Sequence, residues 1–156
     1  MAVVEHKKNG LLEKLAYRTG RGRSSRTHIA YDVTIADTPY PDRPDRTAAQ
    51  VALYNEYGTH VNGKKHVPAR PFFSQASHQF AKLWKQKLAI EFKDTGQDPE
   101  ETLKNMAEYL KLEVQDSIET FSTPENADYT ILKKGKDDPL MDSGFMKDSV
   151  VVVKVT

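Results

Sequence analysis

The rhythm of apolar and polar positions changes several times along this chain, and each change marks an element. The first nine residues show no pattern, after which Leu11, Leu12 and Leu15 give one short helical face. From Thr27 the period becomes two. Ile29, Tyr31, Val33 and Ile35 alternate with His28, Ala30, Asp32 and Thr34, as in a half-buried strand. Pro39, Pro41 and Pro44 then preclude a helix or a central strand. Thr47 with Gln50 forms a capping box for a helix that runs to Tyr57 and stops at Gly58, where the helix exit calls for a positive φ.

Asn62-Gly63, between Val61 and Lys64, reads as a tight hairpin turn. Pro68 and Pro71 bracket an extended segment before a long helix whose apolar face is Phe72, Phe73, Ala76, Phe80, Leu83, Trp84 and Leu88. A second long helix starts with Asp98 as cap, Pro99 at the first helical position and Glu101 completing the cap. Its apolar set is Leu103, Met106, Ala107, Leu110, Val114, Ile118 and Phe121, and Pro124 ends it. Tyr129 to Leu132 reads as extended, 133–139 as a loop, and Val150 to Val155 as a closing strand buried on both faces. The expected fold class is α+β, with two long amphipathic helices packed on a small, mostly antiparallel sheet, a protruding hairpin and a basic N-terminal loop. Residues 1–26 are expected to be a flexible basic segment and 27–156 a single α+β domain.

Composition narrows the class. At 156 residues, with 38% hydrophobic and 29% charged, the chain has one domain's worth of core and much surface. No apolar run nears the ~20 residues of a membrane helix, and MAVVEHKKNG is not a signal peptide, so no membrane partner and no ordinary secretion are expected. The absence of cysteine removes disulfides, thiolate metal sites and cysteine nucleophiles. A net charge of +1 predicts no partner, which leaves only local clusters.

Those clusters read blandly. Arg18, Arg21, Arg23 and Arg26, in a glycine-containing stretch without an acid, suit phosphate contact or a neighbouring subunit, against a solvated loop as the plainer reading. Lys64, Lys65 and His66 on the hairpin form either a solubilising tip or an inter-subunit contact by strand addition. His60, His66 and His78 with Glu56 lack the spacing of a zinc site, so no metal and no cofactor are expected. Asp137, Asp138 and Asp142 sit among lysines, where charge balance explains them. Ser143-Gly144 lacks the surroundings of a nucleophile elbow, and Gly20 with Gly22 lacks the strand that precedes a phosphate loop.

Two segments carry a familiar order. One is Glu56-Tyr-Gly58-Thr59 followed by Pro68-Ala-Arg70-Pro71-Phe72-Phe73; the other is Lys134-Gly135, then Pro139-Leu140 and Ser143-Gly144, before the last strand. In series they resemble tailed-phage neck proteins of the HK97 gp10-like tail-component family, or the related Mu-like virion morphogenesis proteins. The resemblance runs from Ala48 to Val155. Phe145-Met146 departs from it mildly, and the basic segment before Thr27 has no counterpart.

The resemblance implies a structural virion protein with no catalytic residue, assembled in the host bacterial cytoplasm. It would form a hexameric ring at the neck, between a head-side portal or connector and a tail terminator or tube protein. Glu56, Gly58, Thr59, Pro68, Arg70, Pro71 and Phe72 would then build or organise the interfaces. Arg70 is expected to pair with Glu56 or with a neighbour's acid, and the arginine loop to face genomic DNA or an adjacent subunit. The alternative function is a small nucleic-acid-binding module using Arg18–Arg26.

Overall fold

A computed structural model describes residues 2–6, 12–18 and 28–155. The strands are β1 (Ala2–His6), β2 (Leu12–Arg18), β3 (His28–Ile35), β4 (Thr59–Val61), β5 (Lys64–Val67) and β6 (Val150–Val155). The helices are α1 (Ala48–Tyr57), α2 (Phe72–Asp94), α3 (Pro99–Thr120), α4 (Asp128–Lys134) and α5 (Phe145–Asp148). The class is α+β: α2 and α3 pack along each other, and α3 lies on an antiparallel sheet of order β1-β2-β3-β6. The β4–β5 hairpin is a separate two-stranded sheet.

The two periods seen in the sequence meet in one core. Tyr31, Val33 and Ile35 of β3 face the helices and are buried, and Val150 of β6 joins them. From α3, the whole stripe Leu103, Met106, Ala107, Leu110, Val114, Ile118 and the following Phe121 is buried. From α2, Phe72, Phe73, Ala76 and Phe80 are buried and Trp84 and Leu88 half-buried against the cluster. Leu83, by contrast, is exposed. It stands one position outside that stripe.

Capping follows the local sequence. The Thr47 hydroxyl accepts from Gln50 N–H and the Gln50 side chain accepts from Thr47 N–H, both at 3.3 Å. Asp98 Oδ1 accepts from the N–H groups of Glu100 and Glu101 at 2.8 and 3.0 Å. The N–H of Asp98 goes to Thr95 O, so Glu101 contributes only its backbone to the cap. Asn62 and Gly63 both have positive φ (51° and 73°), the backbone of a two-residue hairpin turn whose twist matches its strands.

Four expectations fail for physical reasons. Residues 2–6 and 12–18 are strands, although the first had no period and the second suggested a helix. Leu12, Lys14 and Ala16 alternate with Glu13, Leu15 and Tyr17, and pairing with β3 in the register Leu15↔Tyr31 selects the strand over the leucine spacing. The sheet therefore draws on residues before Thr27, the boundary expected for the flexible segment. Tyr129 to Leu132 is helical, not extended. Its strand-favouring residues are overridden by Asp128 in the first turn, Lys133 and Lys134 in the last, and Gly135 as a left-handed cap. Finally, β6 is an edge strand, so only Val150 is fully buried and Val153 is exposed.

Candidate assembly surface

The residues singled out by the resemblance meet at one end of α2. Glu56, in the last turn of α1, is 2% exposed, and its carboxylate receives the first N–H groups of α2. Phe73 N–H donates to Oε2 at 3.0 Å, while Ser74 N–H at 3.1 Å and the Ser74 hydroxyl both donate to Oε1. Pro71 at the cap position has no side chain to offer these donors. A carboxylate from the preceding helix thus satisfies them, and its negative charge sits at the positive end of the α2 dipole.

Arg70 does not pair with Glu56. Its guanidinium turns the other way and holds the chain beyond α3: Nε donates to Pro124 O at 3.0 Å and Nη2 to Glu125 O at 2.9 Å. Longer contacts reach Asn55 Oδ1 and Asn126 Oδ1. The backbone explains the split, because Arg70 N–H donates to Asn55 O at 2.6 Å, and two residues later Phe72 opens α2 toward Glu56. Burial pushes the Arg70 guanidinium below its usual value, and the nearby Asp137 carboxylate draws it back up. Asp137 also accepts from the backbone and side-chain amides of Asn126 at 3.0 Å, closing the knot.

Gly58 makes the turn between α1 and the hairpin. Its φ is 72°, and an added Cβ would lie 2.7 Å from Val67 O and 2.8 Å from Ala69 N, both backbone atoms. The chain passes too close here for any side chain. Pro68 and Pro71 are half-buried in the same turn, and Phe72 is fully buried beneath it. Thr59 begins β4 and is half-buried.

The remaining candidates are scattered. His60, Val61, Asn62, Gly63, Lys64 and His66 are exposed on a hairpin that packs mainly on itself, with Lys65 beside them in sequence. His78 lies on α2 and its Nδ1 is 2.8 Å from Ser74 O. Among the described residues no group of three or more histidines or carboxylates is placed to hold a metal. Asp138 pairs with Lys136 at 2.7 Å, and Asp137 serves Asn126, so these carboxylates work separately. Arg18 ends β2 opposite His28, whereas Arg21, Arg23 and Arg26 lie outside the described residues. Among the described residues no helix is long and apolar enough to cross a membrane.

Sequence reasoning missed several polar residues that fix this frame. Ser117 Oγ donates to Phe72 O at 2.8 Å, and buried Glu91 accepts from Asn105 at 2.6 Å and from the Tyr109 hydroxyl at 3.3 Å. The legible signal was a polar residue on an apolar stripe: Ser117 follows Val114 by three, and Glu91 follows Leu88 by three. For Asn126 with Asp137 no local signal exists.

The same end of the molecule exposes apolar area. Tyr54, Tyr57 and Leu53 on α1 and Val61 on the hairpin are all open, Tyr57 at 58%. Tyrosine is among the residue types enriched at the cores of protein interfaces. No family model, no curated protein and no solved structure matches this chain.

Proposed function

We propose that this chain is a structural protein of the phage neck, a tail-completion subunit that assembles as a ring and joins the DNA-filled head to the tail. The observation that carries the reading is the division of labour between Glu56 and Arg70. Both are buried, and both are spent on backbone groups rather than left facing a cleft. The E-Y-G-T and P-A-R-P-F segments, which carry the resemblance, are thereby one frame. That frame fixes α1, the hairpin and α2 against one another and leaves the tyrosines and the hairpin outward, as an assembling subunit requires.

In this role the chain carries out no catalytic step and needs no cofactor. Its partners are further copies of itself, a portal or connector protein on the head side, and a terminator or tube protein on the tail side. Arg18, Arg21, Arg23 and Arg26 would meet lumenal DNA or a neighbouring subunit.

Deletion of the coding region in the parent phage tests this. The expected result is separate filled heads and complete tails, with joining restored when the chain is added back. Intact infectious particles without the chain would refute it. Steeply salt-dependent DNA binding in that case would favour the nucleic-acid module instead.

A further inference from the structure

We propose that α4 of one copy docks into the apolar groove between the end of α2 and the start of α3 in the next copy, with Leu132 as its anchor. This inference rests on the reading of the chain as a self-assembling ring subunit. α4 is 7 residues long, about half the length at which an isolated helix begins to hold in water, and none of its residues is buried. Its order comes from its two ends. Before it, Arg70 Nη2 donates to Glu125 O at 2.9 Å and Asn126 N–H to Asp137 Oδ1 at 3.0 Å. After it, Gly135 N–H donates to Ile131 O and Lys134 Nζ to Asp138 O, both at 2.8 Å. What this scaffold presents is apolar: Leu132 is 84% and Tyr129 76% exposed, three positions apart on one face. Asp128 shares that face, one turn before Leu132. A fixed helix that buries nothing of its own suits docking into a groove, where anchors three and four apart enter the partner.

The groove matches in size, polarity and charge. Leu88, Ala89 and Phe92 of α2 with Pro99 and Leu103 of α3 line a cavity of about 230 Å³, and Lys85 is its only charged lining residue. That volume lies below the ~300–1,000 Å³ of small-molecule sites and suits one or two side chains. Among the described residues neither Lys85 nor Asp128 pairs with an opposite charge. Lys85 and Ala89 stand one turn apart on α2, as Asp128 and Leu132 do on α4. Helices laid side by side in parallel therefore set Asp128 against Lys85 and Leu132 against Ala89 in a single docking.

α4 is held away from the groove of its own copy. Arg70 ties it to the start of α2, and from Phe72 to Ala89 the helix rises about 25 Å. The rival occupants from the same chain are segments 7–11 and 19–27, which lie outside the described residues. They carry Lys7, Lys8, Arg21, Arg23 and Arg26 and no acid, and so would meet Lys85 with like charge. Charge thus favours α4 of a second copy. The contact joins patches near opposite ends of α2, so it is heterologous and repeats head to tail, which closes into a ring when the rotation allows.

The chain has no cysteine, so introduced thiols are its only ones. Phage particles carrying the Ala89→Cys/Leu132→Cys chain, oxidised mildly and run without reductant, are expected to give a ladder of covalent oligomers. Either single variant is expected to give none. Both positions are exposed, so the fold is kept. Should this double variant fail to enter particles, Lys85→Cys/Asp128→Cys repeats the test at the rim of the groove. The charge argument has its own check: Lys85→Asp or Asp128→Lys alone lowers particle yield several-fold, and the pair restores it. A pair that yields no better than the single variants overturns the docking. A chain present in particles with no ladder from either cysteine pair overturns the α4 contact and leaves the ring reading standing. A dimer from Leu132→Cys alone assigns α4 to a two-fold partner and also overturns it. Absence of the wild-type chain from particles overturns the ring reading itself.

Discussion

Replacing Glu56 with alanine strips the α2 N-terminus of its acceptor and leaves a cavity where the carboxylate was. Three donors lose their partner: Phe73 N–H, Ser74 N–H and the Ser74 hydroxyl. The Phe73 N–H is buried, while Ser74 is half-buried and its groups recover part of the loss from water. A buried donor left unsatisfied costs about 1–3 kcal/mol. The lost charge at the helix terminus adds roughly 0.3–1 kcal/mol. Together these give a destabilisation of about 3–4 kcal/mol for Glu56→Ala. Glu56→Gln keeps one carbonyl oxygen for the backbone donors and loses the charge, which sets its cost at about 1–2 kcal/mol. Ser74→Ala removes only the hydroxyl and costs about 1 kcal/mol. Equilibrium urea unfolding reads all three. With a slope of about 2 kcal/mol per molar, the alanine variant shifts the midpoint by roughly 1.5–2 M. The reasoning is refuted if Glu56→Ala unfolds within about 0.5 kcal/mol of wild type, the scatter of ordinary surface changes, or if Glu56→Gln costs as much as alanine.

Three further outcomes follow from the same frame. Arg70→Lys cannot reach Pro124 O and Glu125 O with one fork, so it should destabilise by about 2–3 kcal/mol in urea and raise hydrogen exchange in the loop after α3. Gly58→Ala meets two backbone atoms and an unfavourable φ, so a loss of about 2 kcal/mol or more is expected, measured by thermal or urea unfolding. Tyr31 and Tyr40 have phenols held above the ordinary value of 10.0, chiefly by burial, and Tyr109 is held above it chiefly by the Glu91 carboxylate. The folded chain then keeps protons that the unfolded chain releases, so stability is fully present below pH 10 and falls as pH rises through the folded values. Urea midpoints taken from pH 9 to 11 should decline, and a flat profile would contradict the assignment.

How much of this was legible depended on the range of the interactions. The α2 and α3 stripes, the Thr47 cap, the Asn62-Gly63 turn and the Gly58 exit are set by residues within a few positions of one another, and sequence reading found them. β2 was misread because its leucines fit a helical spacing, and only its partner β3, more than ten residues away, decides for a strand. Arg70 and Glu56 were both identified, yet they do not pair with each other. Each is satisfied by backbone groups that the fold brings from distant segments, Pro124 and Glu125 for one and the start of α2 for the other. Charge complementarity in sequence does not foresee a carboxylate serving as a helix cap from the helix before. The free edge of β6 was equally hidden, since its valine run reads as a central strand until the strand order is known.

Cryo-electron microscopy of the neck of the parent virion, with this chain traced into the density, tests the central claim most directly. The account expects a symmetric ring between portal and tail, with α1 and the hairpin of each copy against its neighbour. A neck built entirely of other chains, with this one missing from purified particles, would contradict it.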